Sequence, residues 1–306
     1  MLAVIAGGTG FIGRGLSRKL LGDGYDVAVL TRNPDAREKV AGRRIRYVKW
    51  DGSTAAGWGA LANGAAAVVN LAGANLADKR WTPDVKERIL RSRLAAGNAV
   101  AEAIAAAKSK PGVLVQASAV GVYGSRGDEE LDESSPPGDG FLAEVVRKWE
   151  YSTAAVEEAG VRRVVIRSAL VLGRDGGAFP RLLRPFKFFV GGPLGTGRQW
   201  FPWVHYRDEI EAIKFLIENA RATGVYNLCG PQPLRNCEFS RIMGQILKRP
   251  WWWPVPAPLL RTLYGEMADA LLLASEKVLP RRMLEAGFQF NYRTAEAALR
   301  DLVAPR

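Results

Sequence analysis

The stretch AVIAGGTGFIG, residues 3–13, constrains the fold more than any other part of the chain. Its apolar start reads as a strand, and FIGRGLSRKLLGDG reads as an amphipathic helix that stops at glycine. Gly7, Gly10 and Gly13 stand between the two at Gly-x-x-Gly-x-x-Gly spacing. Residues without Cβ let backbone N–H groups approach a pyrophosphate, and the helix N-terminus adds a favourable dipole. Gly7, Thr9, Gly10, Phe11, Ile12 and Gly13 are therefore expected to line a bound dinucleotide.

Beyond this turn, short apolar runs alternate with helical stretches. DVAVLTR, RIRYVKWD, AAVVNLAG, GVLVQASAV and RRVVIRSALVLG read as strands. PDVKERILRSRLAAGNAVAEAIAAAK and GFLAEVVRKWEYSTAAVEEAG read as long helices. Such alternation implies an α/β fold with a parallel sheet covered on both faces, binding ligands at the carboxyl ends of its strands. After residue 173 the texture becomes rich in Gly, Pro and aromatics. The expected division is a dinucleotide domain over 1–173, rejoined by part of 204–228, and a smaller, partly discontinuous substrate lobe over 174–306.

Cofactor choice is read at the end of the second strand. An NAD site usually carries an acid there, about 20 residues beyond the glycines. This strand ends in Thr31 and Arg32, a hydroxyl and a guanidinium suited to a ribose 2′-phosphate, which favours NADP(H) over NAD(H). Asp51, ending the third strand, is placed to accept from an adenine amino group. Leu71, Ala72 and Gly73, ending the fourth, lie where adenosine and pyrophosphate would pass.

Composition removes other classes. The net charge of +12 comes from Lys and Arg spread among acids, with no basic block or RNA-binding signature, so no nucleic-acid partner is expected. Cys229 and Cys237 make neither a disulfide framework nor a metal pattern. The apolar run at MLAVIAGGTG breaks too early for a signal peptide or a membrane span, and the reading is cytoplasmic, with no membrane contact. PWWWPVPAPLL is taken as an apolar wall of the second lobe.

GGTGFIG, NLAGANLADKRW, SAVGVYG, KWE, VLGRDGGAFPRLLRPFKFFVGGPLGTGRQWFPWVHYRD, NLCGPQPLRNCEFSRIMGQILKRP and VLPRRMLEAGFQFNY together resemble the extended, epimerase-like short-chain dehydrogenase/reductases. The resemblance runs to the YfcH subgroup of nucleoside-diphosphate-sugar epimerase-like proteins and spans nearly the whole chain. It implies a Rossmann-like doubly wound sheet of about seven strands, with a C-terminal α/β lobe closing over the nicotinamide. Arg167 joins the expected cofactor set.

Extended reductases carry a Tyr acid/base followed four residues later by a Lys that lowers its pKa, and commonly a Glu four residues beyond. Matching that Glu to Glu150 puts Val146 at the Lys position and Leu142 at the Tyr position. Sliding by one gives Phe141 and Val145, and none of the eight tyrosines has a Lys four residues on. Substitute donors are sought at the end of the fifth strand, in Ser118 and Tyr123. Lys148 sits two residues past the missing Lys, on another face. Arg80, Trp81, Arg198, Gln199 and His205 are expected around a substrate, with His205 alternatively ordering the loop ahead of Asp208. Asp208 itself reads as a helix N-cap boxed with Glu211. No metal site is expected.

Two functions follow. The first is an NADP(H)-binding, epimerase-like oxidoreductase acting on a small polar or anionic carbonyl or alcohol, as monomer or homodimer. The second is a cofactor-loaded regulatory or scaffold protein with little or no catalysis.

Overall fold

The computed structural model describes residues 1–35 and 45–304. Its first half lays down β1 (Leu2–Ala6), α1 (Phe11–Gly22), β2 (Asp26–Thr31), β3 (Ile45–Lys49), β4 (Ala67–Asn70), α2 (Pro83–Ala106) and β5 (Leu114–Ala119). A short β6 (Glu130–Leu131), α3 (Phe141–Tyr151), α4 (Ala155–Glu158) and β7 (Arg163–Ser168) follow. The remainder forms β8 (Leu170–Gly173), β9 (Gly176–Gly177), α5 (Phe179–Lys187), β10 (Trp203–His205), α6 (Tyr206–Glu218), β11 (Gly224–Leu228) and α7 (Asn236–Leu247). It ends with α8 (Ala257–Tyr264), α9 (Glu266–Leu271), β12 (Lys277–Val278), α10 (Arg281–Glu285) and α11 (Ala295–Val303).

Seven parallel strands run in the order β11-β7-β5-β4-β1-β2-β3. The strands are Val-, Ile- and Ala-rich on both sides because both sides are covered. Ile5, Val29, Val69 and Val115 pack with Leu16 and Leu20 of α1 and Ile213 and Leu216 of α6. Val4, Leu30, Val68 and Leu114 pack with Val100 and Ile104 of α2 and Val156 of α4. The strand order reverses between β1 and β4, the crevice where such sheets take ligands.

Two elements read as continuous are divided. RRVVIRSALVLG changes partner at its middle: the Ala169 N–H donates to Leu228 O at 2.9 Å, while the Leu170 N–H donates to Pro202 O at 3.3 Å. The chain thereby leaves the main sheet and enters a smaller one, ordered β10-β8-β9. The long helix after residue 140 breaks after Tyr151, where the Arg163 guanidinium bonds the Glu150 carbonyl and Thr153 Oγ1, drawing groups out of the helical ladder.

The second lobe has its own core of Leu172, Phe179, Phe201, Trp203, Phe239 and Leu299. The WWW run does not serve it as a wall. Only Trp251 is half-buried, packed against that core, while Trp252 and Trp253 are exposed. Among the described residues, no helix is long and apolar enough to cross a membrane, and no group of three or more His, Cys, Asp or Glu is arranged to hold a metal.

Candidate functional site

The turn after β1 is shaped by what a Cβ would strike. Gly7 has φ +77°, and a Cβ there would stand 2.8 Å from the Leu71 carbonyl carbon; at Gly13 it would stand 2.4 Å from Gly7 O. Gly10 caps α1 without a side chain, so no capping group takes up the first N–H groups of the helix. A backbone cradle of this kind fits a pyrophosphate. Phe11 contributes backbone only: its ring stacks on Tyr206 at 4.3 Å and presses on Gly173 and Gly176, pinning α1 to the second lobe.

At the ends of β2 and β3, Thr31 is buried and its Oγ1 accepts from the Asn33 N–H at 3.4 Å. Arg32 is exposed, and no ion pair engages it among the described residues. Asp51 closes its own turn: Oδ1 accepts from the Ser53 and Thr54 N–H groups at 2.7 and 2.9 Å and Oδ2 from Thr54 Oγ1 at 2.8 Å. Those donors hold its pKa down at about 2. At the end of β4, Asn70 donates to Gln116 Oε1 at 2.9 Å and accepts from the Ala72 N–H at 3.2 Å, which sets the path of Leu71, Ala72 and Gly73.

A residue not picked out from the sequence completes this crevice. Arg93 of α2 is buried, with its guanidinium against Gly73, where a Cβ would lie 3.2 Å from Cζ. Its Nη1 donates to the Ala74 and Ile89 carbonyls, both at 3.0 Å, and its charge lies over the Trp149 ring at 4.8 Å. No carboxylate pairs with it among the described residues, and burial lowers its pKa to about 10, which leaves it charged at neutral pH. Its spacing was the available signal: Ile89, Arg93, Ala96 and Val100 form one helical stripe, and Arg93 is the cation within it.

The expected proton donors lie in a closed chain on the α3 side of the sheet. Ser118 donates to Glu150 Oε1 at 2.5 Å, and Arg167 grips the same carboxylate through Nε at 2.8 Å and Nη2 at 3.0 Å. Arg167 Nη1 donates to Tyr123 Oη at 3.0 Å, and the Tyr123 hydroxyl donates to Asn227 Oδ1 at 2.8 Å. Tyr123 is fully buried, and burial pushes its phenol up to about 12. Burial works against the Arg167 charge, but the Glu150 carboxylate outweighs it and keeps the guanidinium protonated. Ser118, Tyr123 and Arg167 are thus joined in one hydrogen-bonded network through Glu150 and Asn227. Beside Glu150, the buried face of α3 is apolar. Leu142 and Val145 pack with Trp81 and Met267, and Val146 packs with Val120 and Tyr123.

The expected substrate contacts also divide. Trp81 is buried, donates to Leu76 O at 2.9 Å and meets Phe141 edge-on at 5.1 Å, so its faces are taken. Arg80 reaches across to Thr262 O at 3.2 Å and lies on Gly265, tying the loop after β4 to the second lobe. Gln199 is buried and donates to Leu194 O and Leu272 O, each at 3.0 Å. Arg198 remains exposed. His205, not Asp208, caps α6: its Nδ1 accepts from the Arg207 N–H at 3.1 Å, its Nε2 lies 3.2 Å from Asp301 Oδ2, and its ring lies 3.8 Å from Tyr292. Burial lowers its pKa against the pull of Asp301. Asp208 instead accepts from Asn291 and Tyr292 backbone N–H groups at 2.8 and 2.9 Å, fastening the C-terminal segment.

Comparison with known proteins agrees with this fold. The epimerase family protein SDR39U1 homolog, chloroplastic, of Arabidopsis thaliana is 40% identical over 99% of this chain and 87% of its own length. The epimerase family protein SDR39U1 of Homo sapiens is 35% identical over 99% of this chain and all of its own length. The crystal structure of human SDR39U1 (isoform 2) with NADPH superposes with a TM-score of 0.87 at 33% identity, covering 99% of both chains. MoeE5 in complex with UDP-glucuronic acid and NAD, at 19% identity and a TM-score of 0.76, shares the fold. Residues 255–302 match a domain of unknown function, DUF1731. Residues 3–229 match the model of the NAD dependent epimerase/dehydratase family, and the chain belongs to that family.

Proposed function

We propose that this protein binds NADP(H) in the crevice between β1 and β4 and does not use one of its own side chains to deliver a proton beside the nicotinamide. The observation that carries this reading is the Ser118–Glu150–Arg167–Tyr123–Asn227 chain beside the apolar buried face of α3. The glycine turn would hold the pyrophosphate, with Arg93 supplying a buried positive charge beside Gly73. Arg32 would meet the 2′-phosphate, and the crystal structure of human SDR39U1 with NADPH supports NADPH as the cofactor. The cofactor, when bound, supplies a hydride. Leu142, Val145 and Val146 pack at that end without offering an acid or base. Oxidoreduction of a small polar or anionic substrate would then exchange its proton with solvent, taken up when a carbonyl is reduced and released when an alcohol is oxidised, with exposed Arg198 as the anion contact.

Fluorescence titration with NADPH and NADH tests the first half. NADPH binds at least roughly tenfold tighter, and Arg32→Ala removes the difference by weakening NADPH alone. Equal losses for both cofactors overturn the assignment. NADPH consumption with a panel of small aldehydes and ketones tests the second half. Turnover is expected to be absent or the same in wild type, Ser118→Ala and Tyr123→Phe; a loss of about 100-fold in either variant, with NADPH binding intact, restores it as a proton donor.

A further inference from the structure

Two acid-free stretches meet on the surface of the second lobe. Residues 176–207 and 239–265 contain no Asp or Glu, and they include Arg181, Arg184, Lys187, Arg198, Arg207, Arg241, Lys248, Arg249 and Arg261. Where the stretches touch, large apolar side chains stand in solvent. Phe188, Phe189, Val190, Trp252 and Trp253 are each between 57% and 72% exposed. They belong to one surface. Gly192 lies against the Trp253 backbone, Leu194 bridges Val255, and the Val255 N–H donates to Pro193 O at 2.8 Å. The Arg249 guanidinium sits over the Phe189 ring at 4.3 Å. Arg184 and Lys187 occupy the last turn of α5, immediately before Phe188.

The backbone also departs from its easy conformations here. Phe189 has φ +63° and Lys248 has φ +53°, the left-handed region that bulky residues seldom adopt. Both residues stop a helix, the Val190 N–H donating to Pro185 O at 3.0 Å after α5 and the Arg249 N–H to Gly244 O at 2.9 Å after α7. At Phe189 the left-handed turn carries a phenyl ring outward rather than into the core.

We infer that this surface, Phe188–Val190 with Trp252 and Trp253 and the cations Arg184, Lys187, Lys248 and Arg249, docks the protein onto an anionic lipid bilayer. Indole and phenyl groups enter the headgroup boundary, where an apolar ring with a polar edge is favoured. The flanking lysines and arginines meet lipid phosphate while their stems cover the aromatic surface. A second copy of the chain fits poorly, since a self-complementary contact would bring the same cations face to face without an acid from either stretch. This attachment is peripheral and needs no spanning helix.

Co-sedimentation of the full chain with vesicles tests the inference. Vesicles of phosphatidylcholine with about one quarter phosphatidylglycerol bind at least roughly tenfold more protein than phosphatidylcholine alone, and raising salt well above about 0.1 M weakens the binding. Trp252→Ser/Trp253→Ser and, independently, Phe188→Ser/Phe189→Ser each lower binding roughly tenfold or more while NADPH binding stays intact. Lys187→Gln or Arg249→Gln lowers it roughly fivefold. The inference is overturned if the two vesicle types bind equally, or if both aromatic pairs can be replaced without loss. It is also overturned if the chain dimerises without lipid and Trp252→Ser/Trp253→Ser abolishes the dimer. Binding to polyglutamate as tight as to the anionic vesicles would assign the surface to an acidic polypeptide instead.

Discussion

The Glu150 carboxylate holds the Arg167 guanidinium in a two-point grip, Oε1 at 2.8 Å from Nε and Oε2 at 3.0 Å from Nη2. Both side chains are largely buried, on α3 and β7 respectively. The pair therefore fastens the helix to the sheet.

Removing one partner leaves the other charge buried. Glu150→Ala is expected to destabilise the fold by about 3–5 kcal/mol, measured by urea denaturation. Tyr123→Phe, which leaves the Asn227 acceptor and one Arg167 donor unpaired, costs about 1–3 kcal/mol. NADPH affinity should be unchanged in Tyr123→Phe. A large loss of affinity at unchanged stability would place Tyr123 at the ligand after all.

Arg93 is expected to behave in the opposite way. It is a buried charge with no carboxylate partner among the described residues, so Arg93→Met relieves a desolvation cost, and the melting temperature without cofactor should hold or rise. NADPH affinity should fall roughly tenfold or more, as a charge-assisted contact is lost. Unchanged affinity in calorimetric titration would reduce Arg93 to a packing residue.

Glu209 on α6 supplies a pH signature. It is fully buried, one oxygen accepts from Ser168 Oγ at 2.6 Å, and burial pushes its pKa up to about 8. The folded state thus keeps a proton that the unfolded chain releases near pH 4.5. The resulting stability is complete below pH 4.5 and is lost as pH rises through about 8, with a slope approaching ~1.4 kcal/mol per pH unit between. Glu209→Gln removes this slope, so the melting temperatures of variant and wild type diverge in the variant's favour from pH 5 to pH 8. Parallel curves would show that Glu209 ionises freely in the fold.

Local spacing and strand chemistry made most of the cofactor half legible. The glycines at 7, 10 and 13, the strand ends at Thr31 and Asp51 and the missing Tyr-x-x-x-Lys are all short-range patterns. The glycine turn stands between β1 and α1 as the spacing predicts, whereas β3 ends at Lys49 and Asp51 closes a turn of its own. The substrate half was not legible in that way. Ser118, Tyr123 and Arg167 looked like free polar groups until the fold brought Glu150 and Asn227 to them. Arg93 looked like one more surface cation until its helix was laid on the sheet.

The sequence by itself determined the α/β class, the dinucleotide turn and the loss of the proton-transferring pair, because each depends on residue type at fixed local spacing. Only the tertiary structure decided which charges are spent on one another. Whether Glu150 neutralises Arg167, Arg93 waits unpaired beside Gly73, or Trp252 and Trp253 face water rather than the core follows from contacts between residues distant in sequence. The free energy of a buried polar or charged group is set by the partners that arrive there, and sequence spacing does not name those partners.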